Sequence, residues 1–184
     1  MGLYLAGSIV MRLSHFAILV AILCLFPKAA LALQEMRVPF NFQWGDSQKN
    51  VEKYIQGTKA RIVERKIVGG RTVLVVEGIP QKLLLRTLFY FDSDALSEIE
   101  LQYGDASWDN LKYGEFYDEI RQNIDSKFGS GRLLTREKSR DGDVLQTLFG
   151  HQWTQGHMTL RLFLYTANKD SETIRVMSLH YKDT

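Results

Sequence analysis

The chain reads as an α+β protein in which short helices pack on an antiparallel sheet, with a tandem duplication of an α-β4 unit. Three observations predict this. Two stretches place apolar residues at helical spacing, i, i+3, i+4. The runs that follow each of them alternate apolar and polar residues, as antiparallel strands with one wet face do. Helix and four strands then recur in the same order, residues 40–104 against 108–182.

In the first half, Trp44-Gly45-Asp46-Ser47 leads into a short helix with Val51, Tyr54 and Ile55 on one face. Asp46 or Ser47 suits the N-cap, and Gly57 suits a left-handed stop. Ala60 to Val68 and Arg71 to Glu77 make two strands joined by Gly69-Gly70, a two-residue hairpin signal. In the next run Leu83, Leu85, Phe89 and Phe91 fall on one face, with Lys82, Arg86 and Tyr90 on the other. Asp92-Ser93-Asp94 makes a turn, after which Ile99, Leu101 and Tyr103 alternate with Glu98, Glu100 and Gln102.

The second half opens on a longer helix, roughly Trp108 to Phe128, striped by Phe116, Tyr117, Ile120, Ile124 and Phe128 and ended by Gly129 and Gly131. Strands are expected over Arg132 to Lys138, Val144 to Trp153, His157 to Thr166 and Thr173 to Tyr181, with turns at Asp141-Gly142 and Gln155-Gly156. Met158, Leu160, Leu162 and Leu164 share a face. The halves end alike. Phe89-Tyr90-Phe91, a turn and Ile99-x-Leu101-x-Tyr103 echo Phe163-Leu164-Tyr165, a turn and Met177-x-Leu179-x-Tyr181.

Residues 1–32 read as a cleavable signal peptide. Arg12 precedes the apolar core His15 to Phe26, and Ala30 and Ala32 stand at −3 and −1 of an A-x-A site, which places cleavage after Ala32. The core is shorter than the ~20 residues a spanning helix needs, and Pro27 ends it, so no stable membrane span is expected after cleavage. Translation is expected to start at Met11, which sets Arg12 directly ahead of the core. Cys24, the single cysteine, lies in that core behind Leu23, where a lipidation signal wants a small residue. Residues 33–184 then hold no cysteine, which excludes disulfides, thiolate metal sites and a cysteine nucleophile. Loss of Arg12 and Lys28 leaves 21 basic residues against 21 acidic ones. Such neutrality argues against a nucleic-acid binder. Residues 33–184 read as a single α+β domain.

The stretch Phe42-Gln43-Trp44-Gly45-Asp46-Ser47-x-x-x-Val51 resembles the W-G-x-S-x-x-x-V opening of small exported proteins, the β-lactamase-inhibitor-like proteins and the SmpA/OmlA (BamE-like) envelope lipoproteins. The likeness runs mostly from Phe42 to Tyr103 and more faintly through the second half. It implies one or two short helices on an antiparallel sheet, and binding of other proteins by the sheet or its loops. The chain departs from the lipoproteins in having no cysteine placed for acylation.

The residues offer little chemistry of their own. His151, His157 and His180 are the histidines left after cleavage. His151 and His157 flank a hairpin and could approach each other, but without thiolates or H-x-x-x-H spacing no metal is expected. Asp92-Ser93-Asp94 lacks the central Gly and distal Glu of a calcium loop. Ser130, between Gly129 and Gly131, follows a helix and is no nucleophile elbow. No glycine pattern suits a nucleotide, and no cofactor is expected. Basic clusters recur at Arg61, Arg65, Lys66, Arg71 and at Arg132, Arg136, Lys138, Arg140, where acidic neighbours dilute them into charge-protected edge strands. Trp108 and Trp153, near element ends, are candidate contacts for a partner, as are His151 and His157.

The expectation is an exported, soluble, non-enzymatic protein-binding module of the bacterial envelope, periplasmic or secreted, whose partner is another envelope protein. The alternatives are a hydrolase or metal-dependent enzyme with an unrecognised site, betrayed by a cleft of converging ionisable groups, and a small-ligand carrier, betrayed by an apolar cavity.

Overall fold

The computed structural model describes residues 34–184. The export signal, its cleavage site at Ala32, Cys24 and the choice between Met1 and Met11 lie outside the described residues. A 3-10 turn at Pro39–Asn41 precedes helix α1, Gln48–Gln56. Four strands follow: β1 Arg61–Val68, β2 Arg71–Glu77, β3 Leu84–Asp92 and β4 Ala95–Tyr103. Helix α2, Asn110–Phe128, leads into β5 Arg132–Asp141, β6 Val144–Gln155, β7 Met158–Lys169 and β8 Glu172–Asp183.

Local chemistry accounts for the element ends. Ser47 Oγ accepts from the Asn50 amide and Asp109 Oδ1 from the Lys112 amide, so each helix has a side-chain N-cap. The start of α1 is also fastened to the β3–β4 turn, where Asp94 Oδ1 accepts from the Gln48 amide. Gly69 and Gly70 take φ +57° and +81°, which a two-residue turn of matching twist requires. Gly57 departs from expectation. Its φ of −77° is right-handed, and the helix stops as its amide is shared among three preceding carbonyls. The β5–β6 and β6–β7 turns fall at Gly142-Asp143 and Gly156-His157, one residue later than read.

All strands form one antiparallel sheet in the order β1-β2-β3-β4-β8-β7-β6-β5. Each half is a meander, and the halves meet where β4 pairs with β8. There Ile99 faces Tyr181, Leu101 faces Leu179 and Tyr103 faces Met177. The two triplets that echo each other in sequence thus pair head to tail about Leu101–Leu179. Each edge strand carries a register shift at a corresponding place, between Ile62 and Glu64 in β1 and between Leu133 and Thr135 in β5. Followed inward, Arg65 faces Leu74, which faces Phe89, which faces Ile99. In the other half Arg136 faces Phe149, which faces Leu164, which faces Met177.

That ladder corrects two readings of phase. Leu164, not Phe163, stands at the register of Phe89, and Phe163 points to the opposite face. The side-chain period in a strand is two, so a one-residue offset in aligning the halves swaps the faces. In β3, Phe89 and Phe91 share a face as expected, but Leu85 is 50% exposed while Leu84 joins the core side. A register shift between Leu84 and Arg86 flips the alternation there.

One face of the sheet is apolar. Its buried cluster joins Leu74, Phe89, Ile99, Leu101, Leu160 and Leu162 with Val51 and Ile55 of α1 and Tyr113, Tyr117 and Ile124 of α2. The other face holds a smaller cluster, Val73, Val75, Leu88 and Tyr90, beside polar residues. These polar residues are not wet, as their alternation suggested. Glu98 and Glu100 are 8% and 7% exposed. Both lie on a central strand, where neighbouring strands supply their partners.

Candidate functional site

The polar residues at the β4–β8 seam form a connected network. Arg71 Nη1 donates to Glu98 Oε2 at 2.7 Å, and Glu98 Oε1 lies 2.8 Å from His180 Nδ1. His180 Nε2 lies 2.9 Å from Ser178 Oγ. Glu100 accepts from Tyr90 Oη at 2.5 Å and from Gln102 Nε2 at 2.6 Å. The Arg71 guanidinium also stands over the Tyr90 ring, 4.5 Å from its centroid, and Phe163 meets His180 edge to face. Burial alone would push the Glu98 carboxyl up. Hydrogen bonds from His180 and Arg71 outweigh it and hold the group down at about 2. Burial and the adjoining Glu100 carboxylate push the Tyr90 phenol up, so it stays a donor.

Ser178, His180 and Glu98 are bonded in the atom order of an acyl-transfer triad. That chemistry also needs hydrogen-bond donors aimed at a developing oxyanion. Ser178 sits in mid-strand, paired with Gln102 on one side and Phe163 on the other, so the backbone there is engaged in the sheet. The residue is 6% exposed, and the carboxylate behind His180 is shared with Arg71.

The residues singled out from sequence lie elsewhere. Trp153 is 3% exposed; its Nε1 donates to Asp125 Oδ1 at 2.9 Å, so its ring fills the core and offers no surface to a partner. Gly131 is required beside it, since any side chain there would run into the indole. Trp108 is half-buried, edge to face with Tyr113 and Phe116. His157 is exposed in the β6–β7 turn, 4.0 Å from the Asp183 carboxylate. His151 and His157 are not brought together. His151 faces Leu162 well inside the ladder, and four residues of strand, about 13 Å, separate it from Gln155 at the end. His151 instead meets α2, with Nδ1 2.6 Å from Tyr117 Oη. Burial, then the nearby Arg121 charge, lowers its pKa from the ordinary 6.5.

Sequence reasoning missed the seam network. Its signal was the alternation Glu98, Glu100, Gln102, opposite Ser178 and His180, which reads as a solvated face until the strand order is known. Among the described residues, no group of three or more His, Cys, Asp or Glu is gathered as a metal would need, and no helix is long and apolar enough to cross a membrane. No family model, curated protein or solved structure matches the chain.

Proposed function

We propose that the chain is an exported, non-enzymatic binding module of the bacterial envelope, built by tandem duplication of an α-β4 unit whose helices cover the apolar face. It takes another envelope protein on the polar face of its sheet. The mirrored strand order, the paired triplets at the seam and the matching edge-strand shifts support the duplication. They fit the kind of small exported protein that the Trp44 to Val51 stretch resembles. The observation that carries the binding reading is the seam network. Its partly exposed members, Arg71 and His180, are held in place by Glu98 on rigid strands, which lowers the ordering cost of docking a partner.

The test is capture from envelope extract on immobilised protein, with Arg161→Glu in parallel. Arg161 faces His180 across β7–β8, beside the network. The expected result is a specific protein held by the wild type and lost with the charge reversal. The same proteins on both baits, or none on either, would end this reading. The bond order at Ser178 favours a second reading, a serine hydrolase. A fluorophosphonate probe that labels the wild type and not Ser178→Ala would establish it and displace the first.

A further inference from the structure

We propose that the cleft between α2 and the β5–β6 edge is a binding site for a small organic anion with a flat apolar body, such as an aromatic carboxylate. The cleft has a volume of about 480 Å³, within the range of small-molecule sites. Phe149, Leu164 and Leu133 give it apolar walls, while Tyr117, His151 and Arg136 place polar groups on it.

Arg136 selects the charge. Its guanidinium lies over the Phe149 ring, 5.4 Å from the centroid. Among the described residues no carboxylate pairs with it. The second cation of the cleft, Arg121, is neutralised by Asp118 at 3.4 Å and Asp125 at 3.0 Å. The residue at the corresponding position of the first half shows what a filled site looks like. Arg65 reaches Glu52 of α1 at 3.2 Å, and Leu74 and Phe89 behind it are fully buried. In the second half the same positions hold Arg136, Phe149 and Leu164; the last two are half-buried, and the arginine faces an open cleft.

His151 adds a second polar group to the wall, its Nδ1 engaged with Tyr117 Oη at 2.6 Å. An aromatic carboxylate would lay its ring against Leu133 and Leu164 and its charge on Arg136, a planar fork matched to a carboxylate. In the larger recess of about 870 Å³ beside Trp44 and His157 the arginine is not left to a ligand, since Arg37 pairs with Glu35 at 3.8 Å.

The experiment is calorimetric titration of the purified protein with naphthalene carboxylate and with the neutral naphthalene carboxamide. The carboxylate is expected to bind, and Arg136→Ala to weaken it about tenfold or more, the scale of one charge-assisted hydrogen bond. Arg65→Ala is expected to leave its affinity unchanged, and the carboxamide to be insensitive to Arg136→Ala. Leu133→Glu, at a position 53% exposed on the rim, tests the same charge preference by repulsion without touching the core. No heat from the carboxylate at about millimolar concentration, or equal affinity in wild type and Arg136→Ala, would falsify the assignment.

Discussion

The two halves of the sheet share a register and differ in what lies over it. In the first half Val76 stands between Ile62 and Thr87; in the second His151 stands between Leu133 and Leu162. Over the first half, Phe42 meets both Phe89 and Tyr54 edge to face, at 5.6 and 4.9 Å, and Arg65 reaches Glu52. Over the second, α2 is fastened by polar bonds, Tyr117 to His151 and Asp125 to Trp153, and the space beside them stays open. The difference teaches that one strand pattern can be covered by apolar contacts in one half and left accessible in the other. Replacing apolar contacts with specific polar ones holds the helix without filling the cleft.

The largest effect should separate the halves directly. Phe89→Ala, at a fully buried ring, is expected to cost about 4 kcal/mol, while Leu164→Ala on the cleft wall costs about 1–2 kcal/mol because that site is already partly open. Denaturant unfolding of the pair measures this; equal costs would remove the contrast.

Next comes the seam that joins the halves. Glu98→Gln leaves Arg71 and His180 facing an uncharged amide and should cost about 3 kcal/mol. Because the folded-state value of Glu98 is depressed to about 2, its contribution is present above the ordinary 4.5 and is lost as pH falls towards 2. Across that window the unfolding midpoint should therefore fall with acid more in the wild type than in Glu98→Gln. An equal fall in both proteins would show that the carboxylate is not engaged as described.

Tyr117→Phe removes one hydrogen bond and should cost about 1 kcal/mol. His151 itself should titrate below 6.5, so that the folded state loses stability as pH falls below that value, where the unfolded chain takes up the proton first. Arg121→Gln should raise the titration midpoint, read from the imidazole protons by NMR. A midpoint unmoved by that change would remove Arg121 as a cause.

The smallest effects are at the edges. Glu52→Ala should cost at most about 1 kcal/mol, as exposed ion pairs do. Arg136→Ala should change stability by less than about 0.5 kcal/mol. A large loss from Arg136→Ala would make that arginine a structural element like Arg65 and weaken the contrast between the halves.

Much of this fold was legible residue by residue. Ser47, Gly69-Gly70 and Asp92-Ser93-Asp94 act locally, through caps and turns that neighbours along the chain complete. Alternation found the strands, and the stripe Tyr117, Ile124 found α2. What failed depended on partners distant in sequence. Leu85 turned outward because of a shift in pairing with β4. Trp153 was buried by Asp125 and the core, not displayed for a partner. Arg136 looked equivalent to Arg65 until Glu52 was found against Arg65 and, among the described residues, no carboxylate against Arg136. The site residues were the least legible, since Glu98 and His180 lie 82 positions apart.

By itself, then, the sequence determined the elements, their order, the echo of one half in the other and the class of antiparallel sheet. Hydrophobic period and turn chemistry are local properties. The tertiary structure alone decided that β4 meets β8, and with it that Glu98 and Glu100 are buried and satisfied instead of wet. It also decided that Arg65 meets Glu52 over one half while Arg136 stands at a cleft over the other. Burial and charge pairing depend on which surfaces meet across the sheet, and no spacing along the chain encodes that.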